Sequence, residues 1–406
     1  MKKSGYADLP LHGGKVPAWL YQRMSKLGGA IVEYIVSEYG KSEVLRRLSD
    51  PYWFQSFGAV LGMDWHSSGI TTSVMGTLKS AITPMSNDLG LFICGGRGKH
   101  SRQTPNELIV VSGKTGINGD DMLKYSKLTA KIDNTAIQDG FQLYLHSFIV
   151  TDEGEWAVVQ QGMNGISRFA RRYHWHSGSI KSFVEEPHTA VCGENQGLIL
   201  NLTHKEADIT RKGILHVTRE APSKMMNEIK HLKMPLHHDV QLDDIDLKRL
   251  GTIIALAHEQ DTNSFENLLL INGLGPKTLR SLALVSEVVH GTPSRFSDPA
   301  RFSFAHGGKD RKPYPVQTHV YDDTIEFLKK ALDKSRIDHS DKKKAFNSLY
   351  KTIGQMEKNF TPEPGAFEKY KKKENDESHL YGGRSVLGKE PPPKGKMDDG
   401  QQLKLF

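Results

Sequence analysis

The sequence predicts an α+β N-terminal domain, followed by an all-α domain and a disordered C-terminal tail. Three observations carry this. Apolar residues at helical spacing open the chain, short β-branched and aromatic runs closed by Gly or Asp follow, and from Asp243 onward amphipathic helical patterns replace the strand character. The boundaries fall at 1–239, 240–360 and 361–406.

Residues 16–48 and 71–82 have helical periodicity. LGLFICGG, NELIVVSG, FQLYLHSFIV and EWAVVQQGM read as strands, with TDEGE as the hairpin turn between the last two. IDLKRLGTIIALAHE, SFENLLLING, PKTLRSLALVSEVVHG and YDDTIEFLKKALDKS then follow as helices with short breaks. Beyond residue 361, KYKKKENDESHLYGGRS and GKEPPPKGKMDDG are too charged and too rich in Pro and Gly to collapse, which predicts a flexible tether.

Composition narrows the function classes. At 406 residues with 37% hydrophobic content the chain can bury a full core. It has no run of eighteen apolar residues, and MKKSGYADLPLHGG has no secretory apolar segment, so the expectation is a cytoplasmic protein without a membrane partner. Cys94 and Cys192 lack CxxC spacing, which excludes a cysteine zinc finger or an iron–sulfur cluster and predicts buried reduced thiols. Lys plus Arg exceed Asp plus Glu by 54 to 47, a net charge of +7 that permits a polyanionic partner.

The strongest motif is LLLINGLGPKTLRSLALV, residues 268–285. A helix end, the turn Asn272-Gly273-Leu274-Gly275-Pro276 and a new helix start follow one another directly. The glycines permit close backbone approach, Pro276 has no N–H to lose, and Lys277 and Arg280 stand beside the exposed amides. The arrangement resembles the helix-hairpin-helix element of repair enzymes, ligases and junction-binding proteins. Gly273, Gly275, Lys277 and Thr278 match that element's loop positions. The resemblance implies that a DNA phosphate is held without bases being read. In the DNA glycosylases such a hairpin is followed by an aspartate in a VDTHV-like segment; here PVQTHV lies farther off and carries Gln317 instead. Glycosylase or lyase chemistry, with Lys309 of HGGKD as amine nucleophile, is therefore an alternative only. Over its first 320 residues the chain resembles an archaeal and bacterial family known as a domain of unknown function, through LPLHGGKVPAWL, GRGKHSRQTPNEL, QDGFQLYLHSF, WAVVQQGMN, ARRYHWHS and DPARFSFAHGGKD. That likeness implies no activity.

Two sets of residues in the first domain are candidates for chemistry. Asp133 and Asp139 precede one strand and Glu155 the next; carboxylates gathered this way on neighbouring strands hold Mg²⁺ or Mn²⁺ in nucleases, with Asp139 and Glu155 as the metal ligands. VVQQG supplies glutamines where a restriction-enzyme-like core has an acid-x-lysine triplet. His174 and His176, with His146 and His188, are the competing set, acting as metal ligands or as acid and base. Packed histidines and turn-capping acids are the bland readings of both sets. Arg97, Lys99 and Arg102 of GGRGKHSRQT fit phosphate contacts on a pliable loop, which RFARRYH would extend. VSGKTG has Leu108 where a phosphate-binding loop needs its first glycine, so no nucleotide cofactor is expected. In DWHSSG, Ser67 or Ser68 is read as a helix cap.

Together these features predict a DNA-binding repair or processing protein acting as a metal-dependent nuclease, with a non-enzymatic DNA-binding adaptor as the alternative. The final QLKLF resembles the QL-x-LF peptide by which bacterial replication and repair factors dock on the sliding clamp. Gln402 fits the rim, Leu403 a shallow site, and Leu405 with Phe406 a deeper apolar pocket. A flexible tether would raise the effective concentration of so short a peptide at the clamp.

Overall fold

A computed structural model describes residues 16, 18–63, 69–167, 169–229, 246–300, 318–335 and 337–359. Four helices come first: α1 (Ala18–Tyr39), α2 (Lys41–Leu48), α3 (Pro51–Val60) and α4 (Gly69–Ile82). Asp50 starts α3 by accepting from Tyr52 N at 2.8 Å and Trp53 N at 3.0 Å, with Pro51 in the first turn where its missing N–H costs nothing. After the short α5 (Ser86–Leu89) come β1 (Leu91–Arg97), α6 (Thr104–Thr115) and α7 (Gly119–Lys131). The strands β2 (Gln142–Thr151), β3 (Trp156–Met163), β4 (Ala170–His176) and β5 (Ala190–Cys192) complete the sheet.

The sheet is an antiparallel meander in the order β1-β2-β3-β4-β5. The turn read from TDEGE is present: Thr151 N donates to Glu155 O at 2.9 Å, and Gly154 takes a φ of +86°. NELIVVSG, expected as a strand, is instead the body of α6. Leu108 and Val111 are buried while Ile109 and Val110 are exposed, which is the three-residue spacing of a helix face; Pro105 opens the helix and Gly116 closes it.

Helices cover both faces of the sheet. Phe148, Val158, Trp156, Tyr173 and Trp175 point to one side and share a core with α8 (Asp208–Arg219), α10 (Leu247–Glu259), α11 (Phe265–Leu270) and α12 (Pro276–His290); α9 (Pro222–Ile229) adds Met225 and Ile229. Ile149, Ala157 and Val159 point to the other side and pack with α1–α4, α13 (Thr318–Lys334) and α14 (His339–Asn359). This is why β2 and β3 are buried almost continuously instead of alternating.

The boundary expected at 239/240 therefore falls within a shared interior, because helices from beyond it supply both layers of the sandwich. Residues 1–305 and 316–354 form one compact unit; a second takes in 306–315 and 355–406, of which 355–359 are described. Both cysteines are free and buried, as expected.

One buried ion cluster ties this unit together. Arg171 on β4 meets Asp298 through Nη1–Oδ1 at 3.0 Å and Nη2–Oδ2 at 2.7 Å, and donates to Asp139 Oδ2 at 2.8 Å. Burial alone would lower the pKa of its guanidinium, but Asp139 and Asp298 carry it above the ordinary value. Arg171→Met would leave two carboxylates buried without a cation. The expected loss is about 3–5 kcal/mol of unfolding free energy, measured as a lower urea midpoint with the slope of the transition retained.

Candidate nucleic-acid interface

The hairpin between α11 and α12 is built from local rules. Ser264 caps α11 by accepting from Asn267 N at 3.1 Å, and Phe265, Leu268 and Leu269 bury its inner face. The chain then turns over Ile271 and Leu274, both buried, while Asn272 and Gly273 stay exposed. Gly273 sits at a φ of +87°, the left-handed region where a side chain is strained. Gly275 is the extended residue before α12, and a Cβ added there would meet nothing within 4 Å. Pro276 opens α12, so the amides of Lys277 and Thr278 have no partner within the helix.

Two cations reach this turn from elsewhere in the fold. Lys131, the last residue of α7, donates to Leu274 O at 2.6 Å, and Arg249 of α10 donates to Gly273 O through Nη2 at 2.9 Å and Nε at 3.3 Å. Gln138 Nε2 adds a bond to Pro276 O at 2.8 Å. Burial lowers the Lys131 pKa first, and the neighbouring Arg249 cation lowers it further. Lys277 is exposed and Arg280, almost one turn on, is half-buried. Thr278, read as a loop contact, is instead turned into the core, because α12 packs that face against the sheet-side cluster.

Arg97, Lys99 and Arg102 are all exposed, as phosphate contacts require, but not on a pliable loop. Arg97 ends β1, and residues Gly98–Gln103 form a 3₁₀ turn that runs directly into α6. The Arg97 guanidinium lies 5.8 Å from the centre of the Tyr144 ring.

The catalytic residues read from the sequence are not brought together. Asp139 lies just before β2 and Glu155 just after its far end; ten residues at about 3.3 Å each separate them by about 30 Å. Glu155 is exposed and bonded to Ser42. Asp139 is buried, accepting from Arg171, from Tyr173 Oη at 2.7 Å and from Phe141 N at 3.0 Å. A shared Mg²⁺ or Mn²⁺ between Asp139 and Glu155 is thus excluded by geometry. Asp133 is buried in a π-helical turn, where Gln160 Nε2 at 2.6 Å, Trp175 Nε1 at 3.0 Å and His188 consume its oxygens.

The histidines divide between the two faces of the sheet. His146 lies beside Gln160 with its ring nitrogens 2.9 Å from Ser126 Oγ and 2.8 Å from Gln160 Oε1. His174 points the other way, to Leu48 O at 2.9 Å, and accepts from Arg172 Nε at 2.8 Å. His176 is on the same face as His174 at the sheet end, 3.4 Å from Ser179 Oγ. His146 and His174 are packed interior residues, so the four rings make no common site. The described side chains that do approach metal-ligand geometry are His216, Glu220 and His290, none of which the sequence reading selected.

Lys131, Gln138 and Arg249 were missed too. They lie in other helices or loops, and no local motif marks them. Ser67, Ser68, Lys309, Gln317, Gln402, Leu403, Leu405 and Phe406 lie outside the described residues. No described helix is long and apolar enough to cross a membrane.

Burial depresses the His146 pKa from 6.5 to about 4, and pushes His174 well below the ordinary value. Between those limits an unfolded imidazole binds a proton that the folded one refuses, so stability must fall as pH falls from about 6.5 toward 4. The limiting slope is about 1.4 kcal/mol per pH unit for each ring. Urea midpoints measured across this window are expected to drop, and His146→Asn to make the drop shallower.

No curated protein and no solved structure matches the chain. A family described as "Protein of unknown function (DUF763)" matches residues 5–316, a range that takes in α1–α12, the sheet and the hairpin. By that match the chain belongs to the DUF763 family.

Proposed function

We propose that this protein binds duplex DNA through the sugar-phosphate backbone at the 271–280 hairpin, without reading base sequence, and serves in DNA repair or processing. The observation that carries this reading is the convergence of Lys131 and Arg249 on the hairpin carbonyls. A trans peptide points its C=O and N–H in opposite directions. With Leu274 O drawn to Lys131, the Gly275 amide faces away from that lysine. At the start of α12 the amides of Lys277 and Thr278 have no partner within the helix, Lys277 itself is exposed, and a Cβ on Gly275 would meet nothing within 4 Å. Amides at a helix start beside a lysine make a phosphate cradle. The overall charge of +7 favours the same polyanion.

The adaptor reading fits this geometry better than the nuclease reading. A nuclease needs carboxylates that water and a metal can reach, whereas Asp133 and Asp139 are consumed by interior donors and Glu155 lies far from both. Localisation on DNA would then be the task of the C-terminal QLKLF peptide, which we assign to a sliding clamp on its sequence alone.

Gly275→Ala places a methyl in open space and should leave folding intact while obstructing a phosphate. Duplexes of unrelated sequence, measured by fluorescence anisotropy, are expected to bind at least about tenfold more weakly to this variant and to Lys277→Ala. Lys277→Ala should also reduce the slope of log K against log salt by about 1. Unchanged affinity in both variants would falsify the hairpin assignment. A chain lacking residues 402–406 is expected to keep its duplex affinity and to lose clamp pull-down.

A further inference from the structure

At the far end of α12 from the hairpin, about 20 Å away by helix rise, α8 packs directly on α12. Gly213 lies at the contact. A Cβ there would lie 2.1 Å from Ser286 Oγ and 2.6 Å from Thr292 Oγ1, so any larger residue would force these side chains to shift. One turn further along each helix, the contact brings His216 against His290 with ring centres 4.6 Å apart at 78°. Glu220 follows His216 by four residues on the same side.

The distances among these three groups are informative. His216 Nε2 lies 3.6 Å and His290 Nε2 4.0 Å from the same oxygen, Glu220 Oε1. Both exceed the N···O range of a hydrogen bond, about 2.7–3.2 Å. They come close to what a tetrahedral ion demands: bonds of about 2.0–2.1 Å place neighbouring donors about 3.3–3.4 Å apart. All three donor atoms lie within 4.8 Å of one another. Lys224 Nζ sits 2.8 Å from the other carboxylate oxygen, Oε2. That contact occupies Oε2 and leaves Oε1 turned to the two histidines.

We infer that His216 Nε2, His290 Nε2 and Glu220 Oε1 form a binding site for a divalent transition-metal ion of the zinc class, with water in the fourth position. Two imidazoles and a carboxylate suit such an ion better than Mg²⁺, which prefers oxygen donors. Solvent reaches the site from the His216 side, where the side chain is 64% exposed, whereas His290 and Glu220 are 19% exposed and His290 Nε2 is buried. The ion would clamp α8 to α12, the helix whose other end carries the hairpin. The inference does not depend on the DNA reading, and its test uses no DNA.

The full chain, stripped with a chelator, should be titrated with Co²⁺ alone. The expected result is a set of visible d–d absorption bands of a four-coordinate site, saturating at one equivalent and bleached by Zn²⁺. His216→Ala, exposed enough to fold normally by circular dichroism, should lower Co²⁺ affinity by more than about 100-fold, and Glu220→Gln should weaken it as well. Absence of the bands in the unmodified chain, or saturation of His216→Ala at unmodified-chain Co²⁺ concentrations, would overturn the site.

Discussion

Arg171 is the interaction on which the remainder of the fold leans. Its side chain is fully buried, as is that of Asp298, and Asp139 is all but so. Ions this far from water are costly unless the charges are paired. Both Nη groups of Arg171 are bonded here, to Asp139, Asp298 and Glu194 O, and Nε alone has no partner among the described residues. Asp139 precedes β2, Arg171 belongs to β4, and Asp298 follows α12, so the cluster joins three remote stretches of chain. Asp298 also accepts from Gln196 N at 2.6 Å, while Ser297 N bonds Ile199 O at 2.9 Å, and this stitches the segment after α12 to the strand-side loop. The segment that follows the hairpin helix is therefore held by the same charge pairing that fixes the sheet.

Coverage of the sheet on both faces explains the fate of the presumptive catalytic residues. A strand between two helical layers exposes neither set of alternate side chains, so a polar residue on it must be satisfied internally. His146 with Ser126 and Gln160, and Asp133 with Gln160, Trp175 and His188, are solutions to that requirement. Their shifted pKa values arise from burial, and a perturbed pKa in a closed interior signals structure at least as readily as catalysis. Arg172 obeys the same rule on the opposite face, where Gln55 and His174 take its donors and Phe54 lies under its guanidinium.

The two ends of α12 meet solvent by different devices. At its start, backbone amides are left available while cations from α7 and α10 occupy the carbonyls. At its end, near a glycine in α8, two imidazoles and a carboxylate lie together. Between them the helix is almost wholly buried, with Leu279, Leu282, Ala283, Leu284 and Val285 all fully covered. A helix so constrained transmits position well, because a close-packed interior resists small displacements.

Much was legible in the residues themselves. Periodicity marked α1 with α2, α4 and α10–α13 as helical and left α3, α7–α9 and α14 unread; TDEGE located a hairpin turn, and LLLINGLGPKTLRSLALV placed a tight turn between two helices, because caps, glycine φ values and side-chain spacing are local properties. NELIVVSG misled because four adjacent apolar and β-branched residues satisfy a strand and a helix equally, and only the neighbours of Leu108 and Val111 decide which face is buried. The domain partition misled for a related reason: adjacency in sequence does not reveal that later helices return to cover both sides of an earlier sheet. The sequence by itself determined the turn chemistry of the hairpin and the mixture of helices and strands. Tertiary structure alone decided that Lys131 and Arg249 stand behind that hairpin, that Asp139 and Glu155 lie at opposite ends of one strand, and that His216 meets His290. Such encounters depend on packing distances across the chain, which no local spacing encodes.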